Sequence, residues 1–249
     1  MKIKYFVLML LCLLLSGTRG FAADTDTIIK RVEDNLNGKT AFMKFTMTVK
    51  TKRSERTMKM DSYSIGKEKS FIKITYPKKD KGITFLKVDK SMWQYVPRIE
   101  KTIKIPASMM LQNWMGSDFT NDDLVRESSI SEDYEQRIVA QNETEYEIEL
   151  LPHEDAPVVW GRILMGVSKE YFLPTTVKYF DEDDVLVRIL SYQNVKKFGK
   201  RFYPTHWVMY PKSEDKAGHQ TIFDTNEAVF DEEISDMYFT KRALKRFSK

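Results

Sequence analysis

Residues 93–124, WQYVPRIEKTIKIPASMMLQNWMGSDFTNDDL, change their pattern of apolar side chains halfway along. Up to Ile105, apolar residues occupy the odd positions except Lys101, and polar residues fill most of the even ones. This alternation is typical of strands with one buried face, so it predicts a strand pair. From Pro106 the spacing becomes i, i+3, i+4, i+7 and i+8, which predicts a short helix with one apolar face: Ala107, Met110, Leu111, Trp114 and Met115.

This predicted helix is followed closely by a second helical piece. Gly116 lies where the C-terminal cap of the first helix would fall. Thr120 and Asp123 have the spacing of a capping box, with Asp in place of Glu, which predicts a helical piece over residues 121–126. For Ser117 and Asp118, between the two pieces, we favour a structural role in a turn over catalysis. Residues 106–126 are called the lid segment below.

Most of the remaining chain alternates in the manner of β-strands. It is preceded by a predicted helix in which Ile28, Ile29, Val32 and Leu36 share one face and which ends at Asn37-Gly38. Turn residues separate about a dozen predicted strands, the later ones being residues 145–151, 162–168, 175–180, 185–192, 201–210 and 220–228. Such a sheet can close into a barrel, split into a sandwich, or leave a concave face that other elements cover. The helical pieces favour the covered concave face.

The N-terminus has the features of a secretory signal peptide. Lys2 and Lys4 precede an apolar run over residues 5–15, and the small residues Gly20 and Ala22 suit a cleavage site. The alternative is a membrane anchor, which needs about 20 apolar residues, roughly twice the length of this run. We therefore expect residues 1–22 to be removed and residues 23–249 to form a single domain. Cys12 lies in the signal peptide, so that domain contains no cysteine.

Removal of the signal peptide leaves a nearly neutral protein. It takes away three basic and no acidic residues, so 40 − 3 = 37 Lys and Arg remain against 36 Asp and Glu, a net charge of about +1. The sequence also lacks a basic stripe with interleaved aromatic residues, so nucleic acid is not the expected partner. About 225 residues without disulfides are enough to bury an ordinary hydrophobic core.

Four segments of the chain resemble one protein family. They are residues 93–97 (WQYVP), 115–119 (MGSDF), 122–124 (DDL) and 238–244 (YFTKRAL). In these segments the chain resembles a divergent branch of the LolA-like, outer-membrane lipoprotein-sorting family. The resemblance implies a mainly β fold, a half-open antiparallel β-barrel with an N-terminal helix and short lid helices over its concave face. It also implies a periplasmic carrier that takes acylated lipoproteins or lipids from the inner membrane toward the outer one.

A carrier of this kind must shield acyl chains from water and then release them. At about 0.8 kcal/mol per buried CH₂, a sixteen-carbon chain costs on the order of 12 kcal/mol to expose. Methionine suits such a pocket because its flexible side chain fills irregular gaps, although ordinary core filling is the alternative. Two of the 13 Met lie in the signal peptide, and eight of the others fall in the first strands and around the lid segment: Met43, Met47, Met58, Met60, Met92, Met109, Met110 and Met115.

The candidate residues for binding acyl chains lie on the predicted underside of the lid segment and on the inward face of the strand below it. They are Met110, Leu111, Trp114 and Met115 in the lid segment, with Trp93 and Tyr95 in the strand. The opposite face of that strand remains open as the inward one. The basic residues Arg98, Lys101 and Lys104 are candidate contacts to headgroups or to a membrane surface. A charge run is more often a solvated face, and Glu100 among these residues weakens the patch.

Enzymatic functions find little support in the sequence. His153, His206 and His219 are not spaced as paired metal ligands, and no Gly-rich phosphate loop is present. The acidic runs at residues 181–184 and 231–233 lack the ligand spacing of an EF-hand, so we interpret them as turn charges. A glycosidase-like pair of carboxylates stays open among 36 acidic residues. We expect no cofactor and no metal.

Two functional hypotheses follow. The first is a monomeric periplasmic carrier that binds an acylated lipoprotein or lipid non-covalently, is gated by the lid segment, and works with an inner-membrane transporter or an outer-membrane acceptor. The second is a periplasmic sensor or adaptor that uses the same half-barrel to bind a protein partner such as an inner-membrane transporter. An open apolar cavity favours the first hypothesis, and a filled core favours the second.

Overall fold

One antiparallel sheet organises the chain, and its two halves meet in the middle of the strand order. The computed structural model describes residues 24–126 and 130–249, so the predicted signal peptide lies outside the described residues. In these ranges the strands are β1 Thr40–Lys50, β2 Glu55–Ile65, β3 Lys69–Tyr76, β4 Thr84–Val88, β5 Ser91–Val96, β6 Lys101–Lys104, β7 Tyr134–Gln141, β8 Glu145–Pro152, β9 Arg162–Ser168, β10 Pro174–Phe180, β11 Leu186–Phe198, β12 Arg201–Pro211 and β13 Gln220–Phe230. The α-helices there are α1 Thr25–Asn37, α2 Asn121–Arg126, α3 Ile130–Asp133 and α4 Lys241–Arg246.

The strand order explains why the lid segment crosses the molecule. The order is β6-β5-β4-β3-β2-β1-β13-β12-β11-β10-β9-β8-β7, and each neighbouring pair is antiparallel. Strands β1–β6 form one meander, β7–β13 form the other, and β1 pairs with β13 between them. Strands β6 and β7 are therefore the two edges of an open sheet. Residues 105–126, which follow β6, pack across a face of the sheet, where Trp114 contacts residues of β1, β2 and β5.

The predicted fold class is confirmed: the protein is mainly β, a half-open antiparallel barrel with an N-terminal helix and short helices over one face. The later predicted strands correspond to β8–β13, although β11 continues to Phe198. Arg201 ties the N-terminal helix to this sheet. Its guanidinium donates to the Asp34 carbonyl at 2.8 Å and to both carboxylate oxygens of Asp231 at 2.5 and 3.1 Å.

Two apolar clusters fill the face covered by α1 and the lid segment, which we call the inner face. In one cluster, Ile28, Ile29 and Val32 of α1 pack over strands β8–β12, as the helical spacing predicts. In the other, Trp114 of the lid segment packs over a group of buried methionines from β1, β2 and β5: Met47, Met58, Met60 and Met92. The concentration of methionine in the first strands thus lies directly beneath the lid segment.

The opposite face, called the outer face, is covered in part by the C-terminus. Leu244 of α4 packs with Phe71 and Leu86, and Thr84 Oγ1 donates to the Leu244 carbonyl at 2.8 Å. Tyr63 stacks on Tyr238, with ring centroids 4.1 Å apart. Burial, and then the hydrogen bond to Tyr238, raise the pKa of the Tyr63 hydroxyl well above its usual range. The C-terminus therefore stabilises β2–β5 from outside.

The predicted continuous helix after Pro106 is wrong. Two separate 3-10 turns, Ala107–Met109 and Trp114–Gly116, take its place. The reason is that the segment folds back on itself. Backbone N–H groups in its second half bond carbonyls of its first half and the reverse: Trp114 to Phe119 at 2.7 Å, Asn121 to Gln112 at 3.0 Å and Asp122 to Met110 at 2.8 Å. These bonds replace the i to i−4 ladder of a helix.

The second helical piece is confirmed, including its cap. Helix α2 spans Asn121–Arg126. The backbone N–H of Thr120 donates to Asp123 Oδ2 at 2.7 Å, and the backbone N–H of Asp123 donates to Thr120 Oγ1 at 3.1 Å. This reciprocal pair is the capping box that the spacing of the two residues predicts.

The predicted placement of Trp93 and Tyr95 on the inward face is wrong. In the register of β4 and β5, Trp93 lies opposite Leu86 and Tyr95 opposite Thr84, which places both side chains on the outer face. Met92 faces inward, so the alternative face is the correct one. Both faces of β5 are covered, by the lid segment and by α4, so apolar residues occur at both parities. The turn at Pro97–Ile99 and the left-handed Glu100 then break the alternation before β6.

Candidate functional site

A cavity of about 230 Å³ lies between the inner face, α1 and the lid segment. Both halves of the sheet contribute to its floor, so it spans the β1–β13 junction. Most of its lining is apolar or aromatic. Among the lining residues are Met43, Phe45, Met60 and Ile72 from β1–β3, and Met165, Val177, Tyr192, Trp207 and Phe223 from β9–β13.

Phe223 connects the floor of the cavity, which the sheet forms, to its roof, which the lid segment forms. Its ring meets Phe45 of β1 edge-on, with centroids 6.1 Å apart, and Phe119 of the lid segment edge-on at 5.2 Å. Edge-to-face contacts of this kind add to the free energy of simple area burial. The lid segment is therefore packed on the cavity floor through aromatic side chains.

Trp114 is the most deeply buried roof residue. Only 1% of its surface is exposed, and its ring lies 5.4 Å from the ring of Phe85. Its indole Nε1–H is buried and has no hydrogen-bond acceptor among the described residues. A buried donor of this kind costs free energy unless something accepts from it. Trp114 thus brings an apolar surface to the cavity lining, while its indole N–H stays buried without an acceptor among the described residues.

A tight turn after Trp114 shapes the roof. Met115 and Gly116 have positive φ angles of 49° and 68°. Ser117 Oγ donates to the Trp114 carbonyl at 2.7 Å and accepts from the backbone N–H of Phe119 at 3.1 Å. Ser117 is buried in this role, which is the turn function that its position predicts.

Side chains of the sheet fasten the lid segment at two further points. Arg56 of β2 donates to the Met115 carbonyl. Thr221 of β13 accepts from the backbone N–H of Asp118 at 2.9 Å and donates to its carboxylate at 2.8 Å. Lys216 also approaches the Asp118 carboxylate, at 3.4 Å. The lid segment is therefore held by polar contacts as well as by the apolar packing of Trp114 and Phe119.

A buried ion pair holds the far end of the lid segment. Arg188 of β11 donates through Nη1 and Nη2 to the two carboxylate oxygens of Asp123, at 2.8 and 2.5 Å. The Arg188 guanidinium also lies 4.3 Å from the Tyr179 ring and 4.4 Å from the Trp160 ring. A smaller cavity of about 60 Å³ adjoins this pair. Asp123 thus caps α2 and anchors it to the sheet.

One end of the larger cavity is polar. Its lining there includes Ser62 and Ser64 of β2, Ser70 of β3 and Lys87 of β4. Ser64 lies opposite Ser70 and Ser70 opposite Lys87 in the strand register, so these three side chains form a row across the inner face. Lys87 is 8% exposed and donates to the Lys67 carbonyl at 2.8 Å.

A network of charged groups borders this polar end. Glu33 of α1 accepts from the backbone N–H and the hydroxyl of Ser131, at 3.1 and 2.9 Å. Lys67 in the β2–β3 turn lies 3.6 Å from Glu33 and 3.1 Å from Glu132 of α3. These contacts join α1, α3 and the β2–β3 hairpin beside the polar end of the cavity.

The structure separates the predicted ligand-binding residues. Trp114 lines the cavity, while Met110 and Met115 are partly buried against the inner cluster beneath it. Leu111 is 56% exposed, so its predicted place on the underside of the lid segment is wrong, because residues 110–113 turn back instead of continuing a helix. Trp93 and Tyr95 lie on the outer face. Arg98, Lys101 and Lys104 are exposed and do not line the cavity.

Several lining residues were not predicted as site residues. Met43 and Met60 belong to the methionine concentration noted in the sequence, and that signal pointed to the correct region. Phe45, Trp207 and Phe223 carried no such signal, since an inward aromatic residue on a strand has the same pattern whether it fills a core or lines a cavity.

Neither a metal centre nor a membrane span is visible in the described ranges. No three His, Cys, Asp or Glu side chains of residues 24–126 and 130–249 are grouped closely enough to hold a metal ion. None of the helices in those ranges has the length and apolar character that a membrane span requires.

Comparison of the sequence with known families gives one match over most of the chain. The sequence model of a family described as "Uncharacterized protein" matches residues 66–246. The chain belongs to that family. No curated protein matches the sequence. Membership in the family therefore brings no activity with it.

Solved structures show the same fold at low sequence identity. A DUF1329 family protein from Desulfovibrio piger is similar with a TM-score of 0.80 and 21% identity, over 88% of this chain and 97% of that one. A domain from Vibrio parahaemolyticus that carries the name of an outer membrane lipoprotein-sorting protein has a TM-score of 0.77 and 19% identity, over 89% and 98%. A LolA superfamily protein from Nitrosomonas europaea has a TM-score of 0.73 and 19% identity, over 89% and 100%. These similarities confirm that the chain has the LolA-like fold that its sequence resemblance implies.

Proposed function

We propose that this protein is a periplasmic carrier. In this proposal residues 23–249 form one domain that binds acyl chains of lipids or lipoproteins non-covalently, without catalysis, and moves them toward the outer membrane. The observation that supports it is an apolar cavity on the inner face of an open sheet, roofed by a segment that joins the two sheet edges. The signal peptide features of residues 1–22 support export.

The cavity lining suits an acyl chain. Met43, Met60 and Met165 offer flexible side chains that adapt to a chain of variable path. Burial stabilises the bound chain by about 0.8 kcal/mol per CH₂, and no directional contact is needed along its length.

The polar end of the cavity suits the headgroup of the same ligand. Ser62, Ser64, Ser70 and Lys87 provide hydroxyl groups and an ammonium next to the apolar lining. Such a combination fixes the orientation of an amphiphile, since each end prefers its own environment. We therefore place the headgroup beside β2–β4 and the acyl chain toward β9–β13.

The lid segment acts as the gate of this site. Its fold is a looped chain fastened by Arg56, Thr221 and Arg188, and lifting it from the cavity means breaking these polar contacts and withdrawing Trp114 and Phe119 from the apolar clusters. A ligand that occupies the space beneath Trp114 would compete with the closed position of the lid segment. An inner-membrane transporter and an outer-membrane acceptor are the partners that we propose for loading and release, with the carrier as a monomer.

A cavity-filling variant tests this function. Ser62→Trp adds a large side chain inside the cavity, whereas Ser191→Trp adds the same side chain on the outer face of β11. We expect the unmodified protein and Ser191→Trp to bind a fluorescent fatty acid, dansyl-undecanoic acid, and Ser62→Trp to lose at least tenfold in affinity. Equal binding by both variants would show that the probe does not use the cavity.

The adaptor hypothesis remains the second candidate, because strand β7 is an open edge of the sheet and Val139 on it is 43% exposed. An extended segment of a partner could pair with such an edge. A stable complex with an inner-membrane protein, combined with no fatty-acid binding by the unmodified protein, would favour this candidate over the carrier.

A further inference from the structure

The β6 edge and the first part of the lid segment carry exposed apolar side chains that the cavity does not use. Twelve large apolar residues are exposed in the described part of the chain, and four of them lie between residues 99 and 111. They are Ile99 at 53%, Ile103 at 40%, Met109 at 36% and Leu111 at 56% exposed. Single exposed apolar residues are ordinary, but such a concentration marks an interaction surface.

Basic side chains accompany these apolar ones. Arg98, Lys101 and Lys104 are exposed within the same stretch, and Glu100 is the acidic residue of residues 98–111. Helix α4 adds two more cations. Lys241 and Lys104 approach the Trp93 ring at 4.8 and 5.6 Å, and Lys245 lies 3.8 Å from Glu100. Five basic residues against one acidic residue give this surface a net charge of 5 − 1 = +4.

The position of this surface connects it to the gate. Strand β6 is an edge of the sheet, and all four of its residues are exposed. The surface wraps around this edge: Lys104 lies on the outer face beside Trp93, whereas Lys101 and Ile103 lie on the side of the inner face. Between the exposed Met109 and Leu111, Met110 packs against the inner cluster. Trp114, which roofs the cavity, follows Leu111 after two residues. A partner that contacts residues 109 and 111 therefore also contacts the lid segment close to Trp114.

We propose that residues 98–111, together with Lys241 and Lys245, dock the protein on the anionic surface of a lipid bilayer. Basic residues attract such a surface, and exposed Ile, Met and Leu side chains insert at its interface. Each cation near an anionic bilayer strengthens binding about fivefold. A surface with a net charge of +4 and four apolar side chains gives weak, reversible attachment, which suits a protein that must leave the membrane again.

The proposal goes beyond the proposed function, because it concerns how the protein meets a bilayer and leaves open what the cavity holds. It commits to lipid as the partner of this surface. A membrane protein that binds the same residues is the competing explanation, and protein-free vesicles distinguish the two.

Vesicle flotation with matched variants tests the proposal. The probes are vesicles of phosphatidylcholine alone and vesicles in which one third is phosphatidylglycerol. The apolar variant is Ile99→Ser with Ile103→Ser, both outside the lid segment, and its control is Val185→Ser with Val195→Ser, two exposed valines elsewhere, at 58% and 39%. The charge variant is Lys101→Glu with Lys104→Glu, and its control is Lys196→Glu with Lys197→Glu, two exposed lysines of β11.

We expect the unmodified protein and both controls to float with the phosphatidylglycerol vesicles and to remain free with phosphatidylcholine alone. Both patch variants should bind at least tenfold more weakly and should still take up dansyl-undecanoic acid from solution. Absence of vesicle binding by the unmodified protein overturns the proposal, and so does equal loss in patch variants and controls. Fatty-acid binding is read separately, so failure of the docking proposal and failure of the carrier proposal give different results.

Discussion

Asp123 and Arg188 form a two-bond ion pair between the lid segment and strand β11, with N–O distances of 2.8 and 2.5 Å. Both side chains are largely buried, at 13% and 6% exposure. The Asp123 carboxylate also accepts from the backbone N–H of Thr120, so one side chain caps α2 and fastens it to the sheet. This pair sets the position of the lid segment at its C-terminal end.

Loss of one partner of this pair should destabilise the fold. Asp123→Asn leaves the Arg188 charge without its carboxylate, and breaking a buried pair costs about 3 kcal/mol. Asp184→Asn serves as the control, because Asp184 pairs with Arg162 and its side chain is 66% exposed. For the control we expect a change below about 1 kcal/mol. Urea unfolding measures the free energy of unfolding of both variants. Equal losses would show that the buried pair stabilises the fold no more than the exposed pair does.

A reversible disulfide between the lid segment and β13 should hold the lid segment closed over the cavity. The Asp118 and Thr221 side chains meet at 2.8 Å, and residues 23–249 contain no cysteine. We expect Asp118→Cys with Thr221→Cys to form a disulfide on oxidation, to slow exchange of bound fatty acid at least tenfold, and to recover on reduction. The reduced form of the same variant is the control. Exchange that is equally fast in both forms would mean that ligand passes elsewhere.

Lys87 should distinguish charged from neutral ligands. Its side chain lies at the polar end of the cavity, in register with Ser70. We expect Lys87→Met to weaken binding of palmitate about tenfold and to leave monopalmitin binding within about twofold, because the loss of an ammonium affects a carboxylate most. Lys87→Arg should retain most of the palmitate affinity, and Lys196→Met should retain all of it. Equal loss of both ligands in Lys87→Met would indicate a change in the fold instead.

Acid should weaken the contact between Arg201 and the Asp231 carboxylate. The hydrogen bond and charge of Arg201 hold the pKa of the Asp231 carboxyl below its usual value of 3.8. Since this pKa is lower in the folded state, the ionised group stabilises the fold above the unfolded-state pKa, and that contribution is lost as the pH falls through the folded-state value. Arg201→Gln should therefore lower the free energy of unfolding near neutral pH.

The difference between Arg201→Gln and the unmodified protein should shrink as the pH falls below 3.8, and unfolding curves across this range measure it. Arg53→Gln, at an exposed position in the β1–β2 turn, is the control. A difference that stays constant with pH would show that Arg201 acts through its bond to the Asp34 carbonyl and not through Asp231.

Local patterns in the sequence predicted much of the fold. Alternation and turn residues located β8–β13, and the spacing of Thr120 and Asp123 located the capping box of α2. These features depend on residues that are close in the chain, so their physical causes are visible in the sequence itself.

The path of the lid segment could not be predicted in the same way. The spacing of Met110, Leu111 and Trp114 is helical, yet the backbone forms bonds within a loop whose position depends on distant residues of the sheet, among them Arg56 and Thr221. Likewise, the alternation at Trp93 and Tyr95 marks burial without saying which face is inward, because α4, far along the chain, covers the outer one. Contacts over long sequence separations decided both points.

Native mass spectrometry of residues 23–249, purified from a periplasm, tests the carrier proposal most directly. The proposal predicts that a species with bound lipid or acyl chain accompanies the protein, that solvent extraction releases it, and that Ser62→Trp carries much less of it than Ser191→Trp. A protein that is empty on purification, and still empty after incubation with lipoprotein-loaded membranes, would contradict the carrier function.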